Sequence, residues 1–151
     1  PAYDYYLSFL DVAEQVTPEC TDSEDIWTAN AIVDTDYIRN IKAVNLLKST
    51  CIIQGYKKNG RTSFHGSAPL GVAEAIKMLT KLHALKQGRY VDEDGTYYGI
   101  LPYEDLDPTA WYTPYVVEAY DLGMLENFRT SRLKPLTPIR PVVLQQMYEN
   151  L

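Results

Sequence analysis

The sequence predicts an all-α protein, built as two helix–loop–helix repeats that pack in a helical bundle with loop insertions. One observation is periodicity, because apolar residues recur at steps of three and four in several stretches, which is the spacing of one helix face. The other is repetition. Residues 43–79 and 115–147 each contain an amphipathic stretch, an apolar pair, an aromatic residue, a loop and a second amphipathic stretch. The predicted helices cover about 38–50, 72–85, 114–122 and 138–150.

Local signals predict where the helices of the second repeat begin and end. Thr137 is a favourable N-cap, and Pro138 after it fits the first helical position, where a missing N–H has no cost. Pro141 lies about one turn into this predicted helix, where proline is less favourable. Gly123 is predicted to end the preceding helix, because glycine readily adopts the left-handed conformation that a helix end requires.

The predicted organisation has three parts. Repeat 1 covers residues 1–86, a polar linker covers 87–101, and repeat 2 covers 102–151. Within repeat 1, weak periodicity and an acidic run at residues 17–25 predict an inserted loop at 13–31.

Composition argues against several kinds of partner. The net charge is −6 and no stretch is dense in lysine and arginine, which argues against nucleic-acid binding. No apolar run reaches the roughly 20 residues of a membrane-spanning helix, so no transmembrane segment is predicted. The two cysteines, Cys20 and Cys51, allow one disulfide if the protein is exported, and a buried thiol at Cys51 is the alternative.

Catalytic chemistry has little support in the sequence. The only histidines, His65 and His83, lie in no recognisable nucleophile, metal or phosphate motif. Two cysteines are too few for a zinc site of the structural type. The sequence therefore predicts a protein that is not an enzyme, with no catalytic residues, no metal and no cofactor.

Several short motifs, in their order along the chain, resemble the S-layer homology (SLH) family. Repeats of that family run from a Phe-x-Asp-Val start, through a tryptophan, to a Gly-(Ile/Leu)-(Ile/Val)-x-Gly-Tyr turn and a final helix that opens with (Leu/Ile)-Thr-Arg-Ala-Glu. The similar segments are residues 9–12 and 103–106 at the start, 107–116 around the tryptophan, 51–56 at the turn and 70–74 at the final helix.

The resemblance implies a location outside the cell, at the cell surface or envelope. It also implies a non-catalytic anchoring module that binds an anionic secondary cell-wall polysaccharide. The chain departs from the family in the signature arginine, since Gly71-Val72 replaces Thr-Arg in one copy and Pro138 replaces the arginine in the other. The alternative is a protein–protein assembly module of a surface protein, in an S-layer or appendage, that has lost glycan binding.

The candidate ligand-binding residues follow from what an acidic glycan requires, namely a flat aromatic surface and cationic or N–H donors. In the glycan interpretation, Trp111 would stack against a sugar, Asp105 would accept sugar hydroxyls, and two basic loops would attract the anion. The loop residues are Lys57, Lys58 and Arg61 in one repeat, and Arg129 and Arg132 in the other. The structural alternative makes Trp111 a core residue, Asp105 a cap and the basic residues solvated turns.

The repeat number generates a prediction about assembly. SLH repeats usually occur in threes around a pseudo-threefold axis, and two repeats leave one side of that bundle open. We therefore expect either a third repeat in the parent protein or self-association of this chain, measured by light scattering over a concentration series. A strict monomer at high concentration, from a parent shown to hold only these two repeats, would contradict the prediction.

Overall fold

The structure is a computed structural model in which the chain divides into two compact units, Pro1–Ala68 and Pro69–Leu151. It describes residues 68–93 and 95–151 and, before them, positions 47, 50, 52, 53, 56–58 and 61–63. The inserted loop at 13–31, both cysteines, the motif at 9–12 and, apart from Leu47 and Thr50, the helix predicted at 38–50 lie outside the described residues.

The described part of the first unit contains a β-hairpin. Strand β1, Tyr56–Lys58, pairs with the antiparallel strand β2, Arg61–Ser63, with Tyr56 opposite Ser63. The sequence between the strands is Asn-Gly, the dipeptide most favoured in two-residue hairpin turns. The basic segment was predicted as a loop, but its described residues form a pair of strands. The Asn-Gly dipeptide between them favours this arrangement.

The second unit is helical. It contains α1 (Val72–Lys86), α2 (Thr113–Asp121) and α3 (Pro141–Glu149), with a short 3-10 helix at Glu126–Phe128. The helices predicted near 72–85 and 114–122 agree with α1 and α2 within one residue at each end. Helical structure in the described residues is thus confirmed, whereas the hairpin in the first unit was not predicted.

At the start of helix α1, the Glu74 carboxylate in the first turn accepts a hydrogen bond from Gly71, the residue before the helix. The Gly71 N–H donates to Glu74 Oε2 at 2.8 Å, which satisfies a backbone donor at the helix start and places a negative charge in the first turn. The helix is followed by Gly88 in the left-handed region, at φ 67°. Its buried face, which includes Ile76 and Leu79, points into the core of the unit.

The predicted start of the last helix at Pro138 is wrong, since α3 begins three residues later at Pro141. Residues 137–139 instead run antiparallel to residues 70–72 in an isolated bridge, with Gly71 opposite Pro138. The Val72 N–H donates to Thr137 O at 2.8 Å, and the Ile139 N–H donates to the Leu70 carbonyl at 2.8 Å. This pattern requires no N–H from Pro138, and Pro141 occupies the first helical position that had been predicted for Pro138.

Gly123 ends α2 as predicted. It lies at φ 74°, and its N–H donates to Tyr120 O at 3.0 Å. The next N–H, of Met124, reaches back to Ala119 O at 2.9 Å, which completes a Schellman motif. Because Met124 is buried, this glycine turns the chain directly back into the core.

The core of the second unit lies where α1 meets α2 and α3. Fully buried side chains from the three helices meet there, including Ile76, Val116 and Met147. Helix α1, which the repeat assignment places in repeat 1, therefore packs within the same compact unit as the helices of repeat 2. Residues 87–101, predicted as a linker, also belong to this unit, since Val91 and Leu101 pack against its core.

The packing generates a stability prediction. Ile76→Ala should lower the free energy of unfolding by about 2–5 kcal/mol, because it leaves a cavity at a site with no solvent exposure. The measurement is urea denaturation followed by the helical circular dichroism signal. Val142→Ala, at a side chain on α3 that is 55% exposed, is the control and should stay within about 0.5 kcal/mol. An equal decrease in the free energy of unfolding in both variants would contradict the buried position of Ile76.

Candidate functional site

Aromatic rings and charged side chains alternate across the surface between α1 and the start of α2. Lys77 Nζ lies 5.6 Å from the centroid of the Trp111 ring and 5.8 Å from that of the Tyr115 ring, and Lys81 Nζ lies 5.7 Å from the centroid of the Tyr115 ring. Lys81 is in turn paired with Glu93. We call these five residues the Trp111–Lys77 patch.

Helical spacing creates this patch. Lys77 and Lys81 are one turn apart on α1, so they lie on one face of that helix. Trp111 precedes α2 and Tyr115 lies in its first turn. The Trp111 ring packs edge-on against Tyr112, with centroids 5.4 Å apart and an interplanar angle of 81°, which holds it at a fixed angle.

Trp111 is partly exposed rather than a core residue. Its side chain is 51% exposed, whereas its neighbours Tyr112 and Tyr115 are buried. The structure therefore contradicts the alternative in which Trp111 is a core residue. A half-exposed indole beside an ammonium group offers a flat apolar surface next to a positive charge.

The two lysines of the patch differ in their ionic surroundings. Burial alone would raise the pKa of the Glu93 carboxyl, but hydrogen bonds from Lys81 and Tyr115 outweigh it, so the pKa is lowered and Glu93 stays ionised. Lys77 forms no ion pair with any residue in the described ranges. Burial, followed by repulsion from Lys81, lowers the pKa of Lys77, and attraction to Glu93 and Glu74 offsets only part of this effect.

Asp105 has a structural role in the protein. Its Oδ1 accepts the Leu133 N–H and its Oδ2 accepts the Lys134 N–H, both at 2.8 Å. Lys134 has a left-handed backbone at φ 56°, an uncommon conformation for a residue with a side chain. Each carboxylate oxygen of Asp105 is thus already engaged in holding residues 133 and 134, which belong to no helix.

The predicted basic residues are distributed over both units. Arg129 pairs with Glu126 at 3.2 Å and Arg132 approaches Glu104 at 4.0 Å, and all four side chains are largely exposed. Exposed pairs of this kind are weak and screened by salt. Lys57, Lys58 and Arg61 lie in the β-hairpin of the first unit. Three of the seven predicted residues therefore belong to the first unit and four to the second.

The cations nearest to Trp111 were missed by the sequence analysis. The predicted cations lie in segments predicted as loops, whereas Lys77 and Lys81 lie in the middle of α1. Their four-residue spacing on a helix that begins after the 70–74 motif was the available signal. It could not be linked to Trp111 without knowing that α1 packs against α2.

Comparison of the chain with protein-family models, with curated proteins and with solved structures finds no match. The resemblance to SLH repeats therefore stays a hypothesis. Among the described helices, none is long and apolar enough to cross a membrane.

The role of Asp105 can be tested by stability. Asp105→Asn replaces one acceptor oxygen with an NH₂ group that faces a backbone donor, so the free energy of unfolding should fall by about 1–3 kcal/mol. Asp121→Asn, on the exposed end of α2, is the matched control and should change it by no more than about 0.5 kcal/mol. Unchanged stability of Asp105→Asn in urea denaturation would refute the structural role.

Proposed function

We propose that this chain is a non-catalytic anchoring module of the cell surface, which binds an anionic secondary cell-wall polysaccharide. The observation that carries the proposal is the half-exposed Trp111 ring with the Lys77 ammonium 5.6 Å from its centroid. The order of the SLH-like motifs supports the same function, and Trp111 belongs to one of those motifs.

The chemistry of the patch suits an acidic sugar. A sugar ring presents an apolar face that packs on an indole, and a carboxylate on the same sugar would lie within reach of an adjacent ammonium. Lys77 is partly buried, so its attraction for an anion is screened less than that of an exposed lysine. An anionic ligand would also offset the repulsion between Lys77 and Lys81.

The other predicted residues contribute differently in this proposal. Arg129 and Arg132 would add long-range attraction at the surface, since both are exposed and already near carboxylates. Lys57, Lys58 and Arg61 belong to the first unit and would add positive charge there. Asp105 would support the fold and make no essential contact with the glycan.

The second candidate is a protein–protein assembly module of an S-layer or appendage protein. One observation favours it: the positions of the missing signature arginines, near Gly71 and at Pro138, face each other in a backbone bridge. Exposed apolar side chains lie close to that bridge in the sequence, with Leu136 at 75% and Val142 at 55% exposure. Surface apolar side chains of this size are suited to contact with another protein.

The glycan proposal predicts a specific effect of Lys77. Lys77→Met keeps the length of the side chain and removes its charge, so binding to purified cell walls should weaken at least about five-fold while the fold is retained. Lys86→Met, at an exposed lysine on the same helix, is the control and should bind cell walls as tightly as the unsubstituted chain does. The measurement is co-sedimentation with wall sacculi, compared with sacculi from which the polysaccharide has been removed.

Salt and the hairpin residues give an independent test. If the hairpin contributes charge, the triple variant with Ala at Lys57, Lys58 and Arg61 should bind walls more weakly, and the difference should shrink above about 0.15 M salt. Trp111→Phe should retain part of the binding that Trp111→Ala loses. Wall binding that is unchanged in the Lys77, Trp111 and triple variants would reject the glycan proposal in favour of the assembly module.

A further inference from the structure

A groove in the second unit is lined by residues other than those of the Trp111–Lys77 patch. It is an open cavity of about 540 Å³ between one side of α2 and the segment at 92–98, within the described residues of that range. The α2 side supplies Pro114, Val117, Glu118, Asp121 and Leu122. These positions are spaced by three, one, three and one, so they form a single stripe along the helix, distinct from the buried stripe of Val116 and Ala119.

The opposite wall of the groove is aromatic. Tyr97 and Tyr98 line it, and the Tyr98 side chain is 92% exposed. The position of Tyr97 is fixed from two directions. Its N–H donates to Pro108 O at 3.0 Å, and its phenol lies over Gly99 so closely that a Cβ on that residue would clash with the ring. A glycine at 99 is therefore required for Tyr97 to occupy its present position.

The groove is negatively charged. Three carboxylates line it, those of Asp92, Glu118 and Asp121, and none of the described residues that line it is basic. Asp121 is exposed and forms no ion pair with a described residue. Carboxylates next to tyrosine rings favour a planar cation, because the rings attract its face and the carboxylates accept its N–H groups.

The chain itself places a guanidinium against one of these carboxylates. Arg89, which does not line the groove, forms an ion pair with Glu118 Oε1, an oxygen that is buried from solvent. Glu118 is thereby held in place by an arginine of the same chain. Asp121, one turn further along α2 on the same stripe, is left to receive a cation from outside.

We propose that this groove binds an arginine side chain carried by a segment of a partner protein. The guanidinium would stack against Tyr98 and donate to Asp121, and the aliphatic part of the arginine would lie along Val117 and Leu122. Arginine fits better than lysine, because a planar guanidinium stacks on an aromatic ring and binds a carboxylate through two parallel hydrogen bonds. The proposal is independent of glycan binding, because it uses none of the residues of the Trp111–Lys77 patch.

The test is a nuclear magnetic resonance titration of the full chain at low salt with blocked tripeptides, Ala-Arg-Ala and its citrulline analogue. Citrulline keeps the shape of arginine and lacks its charge. The arginine peptide should shift the backbone amides of Val117 and Leu122, and the citrulline peptide should bind at least about ten-fold more weakly. A lysine peptide should bind several-fold more weakly than the arginine peptide.

Substitutions at the groove locate the binding site. Asp121→Asn and Tyr98→Ala should each weaken binding of the arginine peptide about three- to five-fold or more. Both side chains are exposed, so their loss should leave the fold intact. Gly99→Ala should also weaken binding, by displacing Tyr97. Glu126→Gln, at an exposed carboxylate away from the groove lining, is the control and should have no effect.

Several outcomes would overturn the proposal. Equal binding of the arginine and citrulline peptides would show that charge is not recognised, and equal binding of arginine and lysine would remove the assignment to a guanidinium. Normal binding by both Asp121→Asn and Tyr98→Ala would place the site elsewhere. If the chain instead self-associates and Asp121→Asn abolishes that association, the occupant is a second copy and not a separate partner protein.

Discussion

The bridge between residues 70–72 and 137–139 is the constraint on which the second unit depends. It joins the residues just before α1 to those just before α3, through bonds from Val72 and Ile139. With both helix starts fixed, α1 is positioned to pack against α2 and α3 and to bury Ile76 and its neighbours. The same packing places Lys77 beside Trp111. The packing of α1 therefore underlies both the core and the candidate site.

The two surface features of this unit lie on different sides of the same short helix. Residues of the buried stripe of α2 tie it to the core, and Tyr115 at its start contacts the lysines of α1. The stripe from Pro114 to Leu122 faces the tyrosines of the 92–98 segment. One surface is cationic and the other anionic, although the chain as a whole is acidic. If both proposals hold, the chain would bind a polymer through one face and a second protein through the other.

The sequence predicted α1, α2 and the role of Gly123 because those features depend on local spacing and on glycine's conformational freedom. It misplaced the start of α3, because both Pro138 and Pro141 fit a first helical position and only the long-range bridge distinguishes them. Trp111 was identified, but Lys77 was not, since nothing local links a residue of α1 to a residue far along the chain that precedes α2. The hairpin was missed although the Asn-Gly dipeptide that lies between its strands was present in the sequence.

The bridge also has a consequence for how the protein is made. Its two partners lie near opposite ends of the second unit, so a ribosome must deliver almost the whole unit before Leu70 can meet Ile139. Helix α1 emerges early and carries an apolar face that its partners cannot yet cover. Contacts between distant parts of a chain slow folding relative to purely local ones. During synthesis this face stays without its packing partners until α2 and then α3 have been made.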